Sequence, residues 1–519
     1  MAIDLDKLPD DVHVLKQFIA ELDARGERLS EQVRLLLAQI YGRRSERRVV
    51  VDESQLKLFV ADTPVEVVVK PESTEVGAHS RKRPARQVLS DLLPRLELVH
   101  DIPDEEKTCQ CGAIKTRIGE ETSERLDVIP ARLQILRHIR PKYACRKCQG
   151  TNSKGPAVAI APPPLYLIPK GIPSDGLLAH ITTSKFVDGL PLYRQEAQFS
   201  RIGVNIRRAT MCGWIFKVSE ACAPLMEALR KEVRAGPLIQ ADETTLQVLK
   251  EPGRAPTTNS YMWVFRGGMP RSPAIEFLYD PSRGADVPKA YLEGYQGYVQ
   301  TDDYAAYDFL DASPGIRHLG CWSHGRRKFI EVCKATGTPE SVPRTGVAAE
   351  AIDRIAQLYA IEKSAGVMSV EERQALRQEK AGPRLQEFNE WLKKWAPAVP
   401  PRSLLGKAIS YSLNQWPRLI RYLENGLLHP DNNLAENAIR PFVVGRKNWL
   451  FSDTPAGAEA SARLYSLVET AKANDIDPYW YLRYLFDQLP SARSADDYRS
   501  LLPQYVDRAL VAPYHRPRR

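Results

Sequence analysis

Two β-rich runs, PLIQADETTLQVL and GYVQTDDYAAYDFL, each close an apolar stretch on an acid, Asp242 and Asp302. A third acid, Glu436, stands in HPDNNLAENAIRPFVVGRKNWLF, between paired asparagines and a basic tail of Arg440, Arg446 and Lys447. Neighbouring strands open their ends onto a common rim, so Asp242 and Asp302 can meet in space and a helix can bring Glu436 to them. Specific alternatives exist. A strand-end Asp commonly forms a turn or a cap. Glu436 follows Asn433 at capping-box spacing, and Pro441 would then end or kink that helix near Arg440. Four cysteines suggest a different chemistry. Cys109 and Cys111, then Cys145 and Cys148, form two close pairs, and a four-thiolate zinc site can staple a module that lacks its own core. The first pair encloses only Gln110 where two residues are usual, and unrelated buried or redox cysteines are the alternative. Cys212, Cys222, Cys321 and Cys333 are scattered and read as small core residues.

The acids need a sheet to carry them. From residue 237, the runs PLIQADETTLQVL, YMWVFRG and AIEFLYDP, the helix-like DVPKAYLEG and then GYVQTDDYAAYDFL read as three strands, a helix and a further strand. That order describes a mixed sheet with flanking helices. The chain between Asp302 and Glu436 is far longer than one strand and one helix require, so an all-α insertion is expected over 340–425. Ile352, Ile355 and Tyr359 would form its stripe, and Ser369 and Glu372 a capping box. Trp449 and Phe451 read as core rather than base-stacking residues.

Ahead of the core, LPLYRQEAQFSRIGVNIRRATMCGWIFKV shows a helix, a Gly203 turn, an Asn205 cap and a second helix with Arg207, Arg208 and Thr210. This is the order of a helix-turn-helix, whose second helix enters a major groove; two packed helices with surface arginines are the alternative. Leu15, Leu22, Leu29 and Leu36, with Ile19, Val33 and Ile40, form a heptad ladder. It suggests a short coiled coil and a homodimer or larger assembly, against an amphipathic helix packed on its own chain. The expected divisions are a leucine-zipper-like region (1–61), a basic linker (62–106), a zinc-binding module (107–160) and a linker with the helix-turn-helix (161–235). The α/β core follows in two parts (236–339 and 426–490) around the insertion (340–425), then a C-terminal tail (491–519).

At 43% hydrophobic and 26% charged residues the 519-residue chain has the composition of a globular protein. No apolar run approaches the roughly 20 residues that span a bilayer, and the acidic start lacks a signal-peptide layout. A cytoplasmic protein with no membrane partner is expected. The net charge of +9 and repeated basic clusters, Arg326, Arg327 and Lys328 among them, favour nucleic acid.

The runs DNNLAENAIRPFVVGRKNWLF, QADET, VQTDDYAAY, GCWSHGRRKF and YGRRSERR resemble the transposases of bacterial insertion-sequence family 66, in the family's order and over nearly the whole chain. The resemblance implies a ribonuclease H-like catalytic core with an Asp, Asp, Glu triad, matched by Asp242, Asp302 and Glu436. Asp303 stands where the family commonly has glycine, so a shift by one residue stays open. The implied activity is cleavage of element ends and their transfer to target DNA. Charge then builds on entering and leaving oxygens, which two Mg²⁺ or Mn²⁺ ions about 3.5 to 4 Å apart stabilise together. Hard cations select carboxylates. Asp242 would bridge both ions, Asp302 and Glu436 would hold one each, and Arg440, Arg446 and Lys447 would contact DNA phosphates. Cys321 and His324 match a Cys-x-x-His feature that braces related cores. Small accessory proteins of the same element are implied partners. A catalytically inactive DNA-binding derivative and a nuclease of the same fold are the alternatives.

Overall fold

The structure, a computed structural model, describes residues 133–144, 158–335 and 346–511, with a few isolated residues before them. The heptad ladder, most of the basic linker and Cys109, Cys111, Cys145 and Cys148 lie outside the described residues. The chain divides into two units, Met1–Arg44 with Leu136–Ala512 and Ser45–Ile135 with Pro513–Arg519, and the elements that follow belong to the first.

After a short ribbon of β1 (Lys142–Ala144) and β2 (Val158–Ile160) come four helices, α1 (Asp175–Phe186), α2 (Leu192–Arg201), α3 (Arg208–Ala221) and α4 (Ala223–Ala235). Strands β3 (Leu238–Gln247), β4 (Asn259–Met269) and β5 (Ser272–Asp280), helix α5 (Asp286–Leu292), and strands β6 (Gly297–Gln300) and β7 (Ile316–Leu319) build the sheet. Its order is β5-β4-β3-β6-β7. The first three strands are antiparallel, and β6 and β7 add in parallel, with Gln240 opposite Gln300. The central strands are apolar or small at most positions and buried on both faces, as a sheet covered by helices requires. Met262, Trp263, Val264 and Phe265 of β4 are all fully buried.

The helices α6 (Trp322–Ala335), α7 (Val347–Ser364), α9 (Gly382–Trp395) and α10 (Leu404–Asn414), with the short α8 (Val370–Leu376) between, and α11 (Asn433–Trp449) come next. They are followed by α12 (Pro455–Ala473) and α13 (Pro478–Gln488). The residues gather into two cores. One joins the sheet to α1–α4 and α11–α13. The other, with Phe329, Ile352, Ile355, Phe388 and Ile409, joins α6 to the helices between α6 and α11. Trp322 sits at the base of the second core, donating Nε1–H to Leu419 O (3.0 Å) and lying 5.9 Å from the Phe388 ring. Ile352 and Ile355 are buried, Tyr359 is half-buried, and the Ser369–Glu372 capping box forms at the start of α8.

An edge strand exposes unpaired backbone groups that invite aggregation. Here α12 covers β5: Ser466 Oγ accepts from Phe277 N–H (2.7 Å), while Thr470 Oγ1 accepts from Ile275 N–H and donates to Ile275 O (both 3.0 Å). Thr470→Val keeps the shape but strands both backbone groups in a buried place. It should cost about 1 to 3 kcal/mol, read as a lower urea midpoint at unchanged m-value.

Local expectations fail in instructive places. Residue Asn205 is not a cap: α3 begins three residues later, with Arg207 as N-cap, because Ile206 turns into the core. Helix α11 neither stops nor ends at Pro441 but runs on to Trp449. Ala438, Ile439, Phe442 and Val443 are buried around the proline, and burying them outweighs the roughly 3 kcal/mol cost of an internal proline. Cys222, Cys321 and Cys333 are buried, but Cys212 is exposed on the outer face of α3. Trp449 packs on the core 5.4 Å from Phe442, whereas Phe451 lies beyond the helix end and is 42% exposed.

Candidate active site

Two buried glutamines set the floor of the site. Gln240 Nε2 donates to Gln300 Oε1 (2.8 Å) and to Asp431 O (3.3 Å), and Gln300 Nε2 donates to Gly320 O (3.1 Å) and His429 O (2.9 Å). These bonds tie β3 and β6 to the turn before α6 and to the loop that enters α11. Asn432 completes the join, donating Nδ2–H to Ala241 O (2.9 Å) and its backbone N–H to Cys321 Sγ (3.3 Å). Asn432, rather than Asn433, is the N-cap of α11, and its side chain makes no capping bond because it is used on β3. The capping-box account of Glu436 therefore fails.

Asp242 follows Gln240 by two residues on β3 and Asp302 follows Gln300 by two beyond β6, so parallel register carries both acids to the same end of the sheet. Glu436, 6% exposed, lies in the first turn of α11. Two of these charges act on the third: the Asp242 carboxyl is held well above the usual carboxylate range by burial, then by Glu243, Glu436 and Asp302. Burial also raises Asp302, whose Oδ1 accepts from Tyr304 N–H (3.0 Å), an effect opposed by that bond and by Arg283, Arg327 and Lys328. Asp303 accepts an amide bond from Gln415, and burial raises its carboxyl, with Asp302 and Asp308 adding to the rise and Lys328 and Arg418 opposing it.

A fourth acid was not anticipated. Glu243, beside Asp242 but on the opposite face of β3, is 2% exposed. It accepts from Arg283 Nη2 (2.7 Å) and Tyr307 Oη (2.9 Å), and burial and then Asp302 push it up to about 7. Arg283 stacks 3.8 Å from the Tyr304 ring, which links Glu243 to the backbone that holds Asp302. The adjacent acids of ADET were the available signal, since strand alternation sends the second side chain into the other face.

His324, on α6, has Nδ1 at 3.6 Å from Glu436 Oε1, and burial lowers it to about 3, so the ring is neutral. Cys321, His324 and Glu436 each offer a ligand atom, all within 4.8 Å of one another. Burial pushes the Cys321 thiol up. A protonated thiol that accepts the Asn432 N–H is a brace for the α11 terminus.

Under Asp302, Thr301 Oγ1 lies 2.8 Å from His318 Nε2. Burial, then Arg418, lowers His318 to about 4; burial, then Arg266, does the same to His429. Both are neutral when folded and take up protons more readily when unfolded. Their contribution is complete above the unfolded value of about 6.5 and is lost as pH falls toward 4, by about 1.4 kcal/mol per residue per pH unit. Urea midpoints should therefore drop between pH 7.5 and pH 5, and His318→Gln should flatten that drop.

The remaining expected contacts scatter. Arg440 is half-buried one turn after Glu436, and Lys447 is exposed. Arg446 bonds Thr245 Oγ1 (3.1 Å) and Thr244 Oγ1 (3.4 Å), on β3 past the acids. Arg207 and Arg208 are exposed at the start of α3, whose inner face of Met211, Trp214, Ile215 and Val218 is core.

Two acids at strand ends, a third on a helix and nearby cations gather at one end of the sheet, and comparison with known proteins gives the class as transposases. A family model described as "Transposase IS66 family" matches residues 170–460. Models for the "zinc-finger binding domain of transposase IS66", the "IS66 C-terminal element" and the "Transposase C of IS166 homeodomain" match 106–149, 466–504 and 28–98. The chain belongs to the IS66 transposase family. Two uncharacterised proteins of Sinorhizobium fredii, y4jD and y4qI, are 33% and 30% identical, each alignment covering 97% of this chain and 98% of the relative. The zinc-finger range contains Cys109, Cys111, Cys145 and Cys148 and supports a structural zinc, and the family supports DNA as partner. No helix among the described residues is long and apolar enough to cross a membrane.

Proposed function

We propose that the chain is a DNA transposase that cleaves element ends and transfers them to target DNA through Asp242, Asp302 and Glu436. Its core is ribonuclease H-like on this reading, three antiparallel strands followed by two parallel ones, with residues 340–425 as an all-α insertion. The carrying observation is that the distant acids Asp302 and Glu436 both act on the Asp242 carboxyl at one end of the sheet, and that this carboxyl is held well above its ordinary range. Such a cluster resists ionisation alone and is relieved by divalent cations. The donor set fits Mg²⁺ or Mn²⁺, since every ligand is a hard carboxylate oxygen. Asp242, Asp302 and Glu436 would hold the ions. When bound, two such ions stabilise the entering and leaving oxygens of a phosphodiester.

The chain's own part is positioning. The Gln240–Gln300 floor and Asn432 hold α11 against β3, Tyr304 and Arg283 orient Asp302, and the neutral His324 ring faces Glu436 without adding charge. Arg207 and Arg208 would read DNA from α3, Arg440 and Lys447 would meet phosphates, and Cys109, Cys111, Cys145 and Cys148 would hold zinc. Incubating the purified protein and Mg²⁺ with a plasmid carrying the DNA that flanks its coding sequence should yield joined strands. Cut but unjoined DNA would point to a nuclease, and untouched DNA to an inactive derivative.

A further inference from the structure

Helix α6 carries cations whose place the site description leaves unused. Arg327 and Lys328 lie three and four residues after His324, hence on the same helical face, the one turned toward Glu436. Both are half-buried, and both act on the Asp302 carboxyl, Lys328 on Asp303 as well. Lys328 is held in place: its Nζ lies 4.4 Å from the centre of the Tyr411 ring, on α10 of the helical segment. Tyr411 is 7% exposed and packs against α6 at Gly325, whose added Cβ would lie 3.6 Å from the ring. A cation over an aromatic face is attracted by about 0.5 to 2 kcal/mol, and the contact fixes one rotamer of a flexible side chain.

We propose that Arg327 and Lys328 grip the phosphodiester of the DNA strand that enters the carboxylate pocket, and that Tyr411 positions Lys328 for that contact. This rests on the transposase reading for the identity of the DNA. Beyond that reading, it gives the helical segment a role in the site, through one aromatic ring. The charges of both residues reach Asp302, as the opposing effects on its carboxyl show, so a phosphate at the acids is within their field.

The test is binding, measured by fluorescence anisotropy with no Mg²⁺ added and no chelator on a labelled duplex of the flanking DNA, across a range of salt. Lys328→Gln and Arg327→Gln should each reduce the slope of log K against log salt by about 1. Lys328→Arg should keep the wild-type slope. Tyr411→Phe should also keep it, and Tyr411→Leu should lose it, which separates positioning from folding. A duplex with a neutral methylphosphonate at the cleavage point should weaken wild-type binding and leave Lys328→Gln binding unchanged. Unaltered slopes in folded Arg327→Gln and Lys328→Gln proteins would overturn the proposal, as would equal losses with the methylphosphonate duplex. Cleavage of the same duplex by the wild type with Mg²⁺ is scored separately, so a failed transposase reading shows there and not in the slopes.

Discussion

Glu436→Gln should abolish strand cleavage while leaving binding to DNA ends within a fewfold of wild type. The substitution keeps shape and helix propensity but removes the charge that would hold a divalent ion. Losing a charged ligand at such a site removes several kcal/mol of transition-state stabilisation; at about 1.4 kcal/mol per factor of ten, a loss of about a thousandfold or more in rate is expected. Glu436 lies in the first turn of α11, and Asn432, on β3, docks that turn. The docking does not use the Glu436 carboxylate, so the fold should survive and gel-shift affinity should report it. Equal cleavage rates for Glu436→Gln and wild type would remove Glu436 from the chemistry.

Asp242→Asn should make the metal-free protein more stable and the metal-loaded protein less so. The carboxyl is raised by burial and by Glu243, Glu436 and Asp302. A raised folded value means that ionising the group opposes folding, so its burden grows as pH rises above the ordinary carboxylate range and is present at neutrality. Asparagine removes that burden, and the apo melting temperature should rise by about 1 °C for each kcal/mol recovered. Divalent cation at a hundredfold excess over its dissociation constant should stabilise the wild type by about 2.7 kcal/mol. Asp242→Asn should gain little of this. Differential scanning fluorimetry with and without Mn²⁺ reads both arms, and a destabilised apo variant would contradict the account.

How far these residues were legible in the sequence follows from the range of the interactions that place them. Asp242 and Asp302 could be seen because each closes an apolar β run, and parallel register between β3 and β6 then carries them to the same end. An all-α stretch over 340–425 could be expected because the Asp302–Glu436 interval is too long for a single crossover and carries helical periodicity. What was not visible depends on partners far apart in the chain. Glu243 looks like a spare acid in ADET until Arg283 and Tyr307 close on it. Asn433 reads as the cap of α11 until the helix is seen to be capped one residue earlier, at Asn432, whose amide Ala241 O claims. Pro441 reads as a stop because local rules count the missing donor but not the four buried neighbours that hold the helix together. Thr470 and Ser466 read as ordinary helix residues, and only the fold reveals them as the cover of an edge strand.

The most direct measurement is anomalous diffraction from crystals grown with Mn²⁺. The account predicts manganese peaks in inner-sphere contact with the carboxylates of Asp242, Asp302 and Glu436, and their loss in Glu436→Gln or Asp242→Asn. Manganese bound instead among Cys321, His324 and Glu436, or absent from the end of the sheet where the acids meet, would contradict it.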